Sequence, residues 1–256
     1  MVEEARRQLS LLQPEEKDSH HPWETYSIQH VGWENDGAGN AAAFEGKGFY
    51  KFLQTGLHSD LKVRDKNGHE WNVHKVVVAK FCNFFENALK GPCKESVTNV
   101  VEMTDDDPAA LKALIEFLYV EDYDIMTATD NDIVLEFHLQ VYIIATIYEV
   151  QSLRLMAFAR FVRLLMTKTC PAPSLVSLLA TAYANTRDSD KLLRPFVARL
   201  SIVHMAGLLG SQSNFLEVLV KYDDLRKDIA RRMINMDLTT TCEGCKAAAA
   251  RKPENS

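Results

Sequence analysis

Residues 59–119 read SDLKVRDKNGHEWNVHKVVVAKFCNFFENALKGPCKESVTNVVEMTDDDPAALKALIEFLY, and the fold class turns on this stretch. Leu61 and Val63 alternate with polar residues, and Trp71 and Val73 repeat the alternation after a turn. Period two is the pattern of a strand with one buried face. Asn67-Gly68 lies between the two runs. It is a short hairpin signal, because both residue types tolerate positive φ. A helix is expected from about Lys75 to Lys90, and a third strand over Val97–Met103. Asp105, Asp106 and Asp107 then precede Pro108 and an apolar helix, Ala109–Tyr119, with Leu111, Leu114, Ile115 and Leu118 on one stripe. Three adjacent carboxylates suit a hard cation in principle, but no glycine-centred calcium loop follows. Capping and complementing the positive end of the helix is the stronger reading.

The order strand, hairpin, strand, helix, strand, helix carries a recurring set of residues. They are Ser59-Asp60-Leu61, Val73-His74-Lys75, Phe84-Phe85, Lys94-Glu95-Ser96, Pro108 and Phe117-Leu118-Tyr119. At this spacing the set resembles a BTB/POZ domain, over roughly residues 44–166. Asp105–Pro108, the apolar helix after it and Asp122-Tyr123 resemble the fungal subset of that family. The resemblance implies an α+β fold, with a small mixed sheet flanked by helices, followed by an all-α C-terminal extension. It also implies a non-enzymatic module that binds proteins and forms homodimers.

For particular residues the resemblance implies more. A helix ahead of the first strand packs across the dimer axis in this family, which makes Phe49, Phe52 and Leu53 candidate interface residues. Gly46 and Gly48 would each weaken such a helix by about 1 kcal/mol relative to alanine. His74 is usually structural in the family, and a lone histidine is more often a satisfied core residue than a catalyst. Asp60 and Lys75 match a charged pair near the dimer interface of some members. Taken alone, they read as a strand-end ion pair worth about 0–1 kcal/mol. Cullin-binding members carry a hydrophobic residue, any residue and a glutamate before the third strand. Cys93-Lys94-Glu95 stands there, so Cys93 and Glu95 are candidate cullin contacts, with a small cysteine in place of phenylalanine or methionine. The expected partners are a second copy of the chain, a cullin of a cullin–RING ubiquitin ligase, or an unknown substrate or transcription partner.

Composition narrows the setting. A chain of 256 residues, 46% of them hydrophobic, suits one or two globular domains. No run of about 18 apolar residues occurs, so no membrane span is expected. The opening MVEEARRQLS lacks the apolar core of a secretory signal. Five cysteines make no disulfide framework, which points to a reducing, intracellular setting, cytoplasmic and/or nuclear. Net charge is −6, and residues 1–40 hold eight acidic and three basic side chains, −5 in all. The rest of the chain therefore carries −6 − (−5) = −1. An acidic arm and a near-neutral body argue against nucleic acid as a partner.

Residues 1–40 have no sustained period and are expected to form a disordered acidic arm. Its aromatics, Trp23, Tyr26 and Trp33, read either as incidental or as a docking motif for a partner or for the body itself. A polar connector, Glu121–Asp130, precedes an apolar helix over 133–148 that Asp132 can cap. Leu153, Met156, Ala157, Phe161 and Leu164 follow helical spacing in the next segment. After the linker Cys170-Pro171-Ala172-Pro173, a helical extension is expected over 174–236. Its three helices carry Leu175–Ala182, Leu192–Leu200 and Phe215–Leu225. Residues 237–256 read as a flexible tail. There, Cys242-Glu243-Gly244-Cys245 has the spacing of half a zinc site without two further ligands. A zinc-binding regulator is therefore a lesser alternative, and no cofactor is expected. Arg226, Lys227, Arg231 and Arg232 alternate with Asp223, Asp224 and Asp228, as on a solvated helix face. No nucleophile elbow, phosphate-binding glycine loop or two-histidine metal helix occurs.

Overall fold

The computed structural model describes residues 48–124, 131–167, 170–210 and 214–235. The acidic arm of residues 1–40, Gly46, part of the connector and the tail with Cys242 and Cys245 lie outside the described residues. The chain divides into two compact units, one up to Leu178 and one from Leu179.

The first unit opens with a short helix, α1 (Tyr50–Thr55), and a hairpin of β1 (Leu61–Asp65) and β2 (Glu70–Val73). Leu61 pairs with Val73 and Val63 with Trp71, antiparallel, so the two alternating runs share a register. The parallel partner is β3 (Val100–Met103), which places Val63 opposite Val101 and makes a mixed sheet of order β2-β1-β3. Leu61, Val63, Val73, Val101 and Met103 are all buried. The turn differs from the two-residue form suggested by Asn67-Gly68. Asp65 O accepts from Gly68 N, Asp65 N donates to His69 O, and only Gly68 takes positive φ, 79°. This is a three-residue loop closed by a left-handed residue. The Asp65 carboxylate accepts from Asn67 N and His69 N, each at 2.8 Å, which fixes the longer turn.

Two further expectations need correction. The single helix over Lys75–Lys90 is two helices, α2 (Lys75–Phe81) and α3 (Asn83–Ala88). Cys82 between them is extended, at φ −139° and ψ 110°, and its side chain is buried in the core. The third strand does not include Val97. Residues Lys94–Thr98 form α4, and Asn99, at φ 54°, closes that helix by donating its N–H to Glu95 O. The β-branched pairs Val97-Thr98 and Val100-Val101 suggest a strand, but the left-handed Asn99 between them turns the chain and starts the strand at Val100.

The core is centred on α5 (Pro108–Val120). Leu111, Leu114, Ile115 and Leu118 are buried on the expected stripe. Asp107 is its N-cap, accepting from Ala109 N and Ala110 N at 3.0 Å, with Pro108 in the first turn. This is the geometry that the Asp-Asp-Asp-Pro sequence suggests. Against α5 lies a helical hairpin, α6 (Asn131–Ile147) and α7 (Gln151–Thr167). Its turn is a helix C-cap in which Glu149 takes φ 58° while Val150 N reaches Ala145 O and Glu149 N reaches Thr146 O. Pro171 and Pro173 stand at the start of α8 (Ala172–Asn185), where a missing N–H costs nothing.

The second unit holds the end of α8, then α9 (Leu193–Val203), α10 (Met205–Gly210), α11 (Phe215–Lys221) and α12 (Asp223–Asn235). Here too one expected helix, over Phe215–Leu225, is broken. Tyr222, at φ −112° and ψ 92°, ends α11, and Asp223-Asp224 opens α12. Acidic residues in a first turn mark a helix start, a signal that the apolar spacing overrides on paper.

Candidate functional site

The candidate interface residues sit where the chain enters the first unit. Gly48 has φ 46°, and a Cβ there would lie 2.7 Å from Tyr119 O. Gly48 therefore precedes α1 as a close-approach residue and does not weaken the helix from within. Phe49 donates its N–H to that same Tyr119 O, at 3.4 Å. Tyr50 then turns into the core, while Phe49 is 54% exposed and Phe52 37% exposed. Their ring centroids lie 6.2 Å apart, and Leu53 beside them is half-buried.

His74 holds this surface to the body. Tyr119 Oη accepts from the His74 backbone N–H at 2.8 Å and meets Nδ1 at 2.8 Å, and Nε2 meets Leu57 O at 2.8 Å. Since a carbonyl only accepts, Nε2 carries the proton toward Leu57, and the Tyr119 hydroxyl donates to Nδ1. One side chain thus ties α5 to the start of α2 and to the end of the α1 segment. Burial pushes the Tyr119 phenol up to about 12. Asp60 and Lys75 do not meet as an ion pair. Asp60 accepts the Lys75 backbone N–H at 2.8 Å, and the Lys75 ammonium reaches Asn99 Oδ1 at 2.5 Å. The carboxylate satisfies one of the unpaired N–H groups of the first turn of α2, which a reading by charge alone misses.

The candidate cullin contacts lie on α4. Cys93 is exposed at the N-cap position, and Glu95 is half-buried in the first turn. The Ser96 hydroxyl reaches Gly91 O at 2.6 Å and Cys93 O at 2.8 Å, pinning the entry to α4. Glu95 is therefore presented from a short helix, and Cys93 from the extended residue that precedes it.

Three buried polar clusters have no counterpart in the sequence reading. Tyr123 Oη meets His138 Nδ1 at 3.0 Å. Arg160 lies over the Tyr123 ring at 4.2 Å and donates to Tyr123 O and to Asp122. Burial, then Arg160 and Arg163, lowers His138 to about 3. Near Cys82, the Tyr148 hydroxyl donates to Asp106 at 2.6 Å, and burial raises the Asp106 carboxyl above its usual range. In the second unit Arg194 is buried over the Tyr183 ring, with partners in Thr186 and Asp224. Each cluster joins residues 8 to 42 positions apart, beyond the reach of a local pattern. None has the form of a catalytic constellation. Among the described residues no group of three or more His, Cys, Asp or Glu side chains is placed to hold a metal ion. No helix among them is long and apolar enough to cross a membrane.

The sheet, α1 to α6 and the first half of α7 fall within a stretch that a family model recognises. Residues 49–159 match the model described as BTB/POZ domain. The chain carries a BTB/POZ domain. This domain is a general protein–protein interaction module and typically non-catalytic. The chain is also similar to the solved BTB domain of zebrafish PATZ1, at 18% identity, over 42% of this chain and 79% of that one, with a TM-score of 0.34. No curated protein matches the chain.

Proposed function

We propose that this protein is a homodimeric interaction subunit whose BTB domain recruits a partner as a substrate adaptor of a cullin–RING ubiquitin ligase. The observation that carries the self-association is the exposed pair Phe49 and Phe52 at α1, held against the body by buried Tyr50 and by His74. Large apolar side chains exposed side by side on an otherwise well-packed domain favour burial against protein. A second surface supports recruitment: Cys93 and Glu95 on α4, where the resemblance places cullin contacts. The fungal affinity suggested by Asp105–Pro108 belongs to the same reading, as does an intracellular setting, which the free thiols of Cys82, Cys93 and Cys170 suit.

Light scattering tests the dimer. Wild type is expected to be dimeric at micromolar concentration, and Phe49→Ser with Phe52→Ser and Leu53→Ser monomeric. A wild-type monomer at high concentration would refute it. Titration calorimetry against a cullin N-terminal domain tests the second surface. Cysteine buries several tens of Å² less than phenylalanine, which at about 25 cal/mol per Å² weakens binding by about 1 kcal/mol, roughly five-fold. Cys93→Phe should strengthen binding and Glu95→Lys should abolish it. If neither wild type nor Cys93→Phe binds, the partner is of another kind, with a transcription complex the next reading.

A further inference from the structure

We infer that the acidic, aromatic arm of residues 1–40 docks on the exposed face of α2, α3 and α4 of its own BTB domain. Val76 and Val97 are 77% and 75% exposed, and Phe81 and Phe84 are partly exposed near them in sequence. The Lys75–Asn99 hydrogen bond joins the start of α2 to the end of α4, which brings the segments that carry Val76 and Val97 side by side. Residues 75–99 hold four lysines, Lys75, Lys80, Lys90 and Lys94, against two glutamates, Glu86 and Glu95, or 4 − 2 = +2. Lys80 and Lys94 form no ion pair with a carboxylate among the described residues. The arm is the chain's matching piece. It carries −5, with Trp23, Tyr26 and Trp33 interleaved with Glu24, Glu34 and Asp36.

Charge selects among occupants. Two copies of a net-positive face repel each other, whereas an aromatic segment with adjacent carboxylates covers the valines and pairs the lysines. The tether also fits. The chain joins the fold at Gly48–Phe49, and the Phe52 ring stands 6.0 Å from His74, the residue directly before α2. From Trp33 to Gly48 the chain reaches at most about 50 Å, and a random coil of that many residues spans about 20 Å. Such a tether gives an effective concentration on the order of millimolar, so a weak contact is enough to seat the arm. The face includes α4, which the adaptor reading also uses, but the test contains no cullin, so its failure and that of the adaptor reading are distinguishable.

The full chain, grown with 5-fluorotryptophan, gives one fluorine signal each from Trp23, Trp33 and Trp71, assigned by single Trp→Phe changes. Trp71, on β2, reports the integrity of the fold. At low salt the Trp23 and Trp33 signals are expected away from the free-tryptophan position. Val76→Ser with Lys80→Glu and Lys94→Glu should return both to it, and about 0.5 M salt should move them part of the way, with Trp71 unmoved. If the surface variant disturbs Trp71, Glu24→Gln with Glu34→Gln and Asp36→Asn makes the same test from the arm. Arm signals at the free position in wild type, or unmoved in the variants, overturn the inference and leave the face to another protein. A displacement lost on tenfold dilution also overturns it, because the occupied face is then that of a second copy.

Discussion

In the first unit the element buried on almost every side is α5, and its innermost side chains, Leu111, Leu114, Ile115 and Leu118, are all apolar. In the second unit a cation lies at comparable depth. Arg194 donates from Nε to the Thr186 hydroxyl at 3.0 Å, reaches Thr186 O, and meets Asp224 at 3.2 Å. The apolar centre tolerates slack: a leucine can shift, and its neighbours partly follow. The polar centre does not, because each carbonyl that loses the guanidinium is left buried without a partner. The centre of α5 is held by area removed from water, and the Arg194 site by satisfied hydrogen bonds.

The largest effect is expected in the apolar centre. Leu118→Ala removes a fully buried side chain and should cost about 4 kcal/mol, within the usual range for a truncated core leucine. Native-state hydrogen exchange of the α5 and α6 amides reads it. A change below about 0.5 kcal/mol would show that α5 is not the centre of the unit. Arg194→Met keeps the apolar length of the side chain and deletes the fork. It should cost about 3 kcal/mol in the exchange of α9 amides, chiefly from the stranded Thr186 carbonyl. Arg194→Lys should recover little, since a point charge cannot bridge the same acceptors. If Arg194→Met is neutral, the polar centre is ornamental and the contrast between the units fails.

The contrast follows what can be read in a sequence. The stripe on α5, its Asp107 cap, the alternation in β1 and β2 and the apolar α6 are local patterns, and each is where the residues suggest. Breaks inside helical spacing are not legible in the same way. Cys82 and Tyr222 interrupt regular apolar runs because one residue is extended, and neither residue type announces that. Asn99 is the one local hint, an asparagine able to take φ 54° ahead of a Val-Val strand. At the candidate interface the positions of Phe49, Phe52 and Leu53 on a helix can be read, but not the reason for Gly48, which lies far along the chain in Tyr119. The Arg194, Arg160 and Tyr148 clusters depend on long-range pairing in the same way.

A polar pair inside the first unit offers a test by pH. His138 is held to about 3 against an ordinary 6.5, mainly by burial. Below pH 6.5 the unfolded chain therefore takes up a proton that the folded chain refuses. Stability is full above about pH 6.5 and is lost progressively as pH falls toward 3. At pH 5 the loss from this group is about 2 kcal/mol. His138→Gln, which can keep the bond to Tyr123, should flatten the slope between pH 7 and 5 in denaturant unfolding. An unchanged slope would assign the acid sensitivity to other groups; Asp106, raised by burial, is not one of them, because its protonation favours the folded state as pH falls.

The smallest expected effects compare one helix cap from each unit. Asp107 accepts two N–H groups at the start of α5, at 3.0 Å, from a half-buried position. Asp190 accepts three ahead of α9, from Leu192, Leu193 and Arg194 at 3.0, 2.7 and 3.3 Å, and is itself buried. Water replaces a lost cap at the first site more easily than at the second. Asp107→Ala should therefore cost about 1 kcal/mol and Asp190→Ala about 1.5–2 kcal/mol. The serine variants separate cap geometry from charge. Asp107→Ser keeps an acceptor on a β-region residue for Ala109 N or Ala110 N and should recover most of the loss. Asp190→Ser should recover little, because one hydroxyl cannot serve three donors. Exchange of the first-turn amides of α5 and α9 measures both. Equal recovery by serine at the two sites would mean that burial does not set the cost, and the distinction between the α5 stripe and the Arg194 site would not extend to the helix ends beside them.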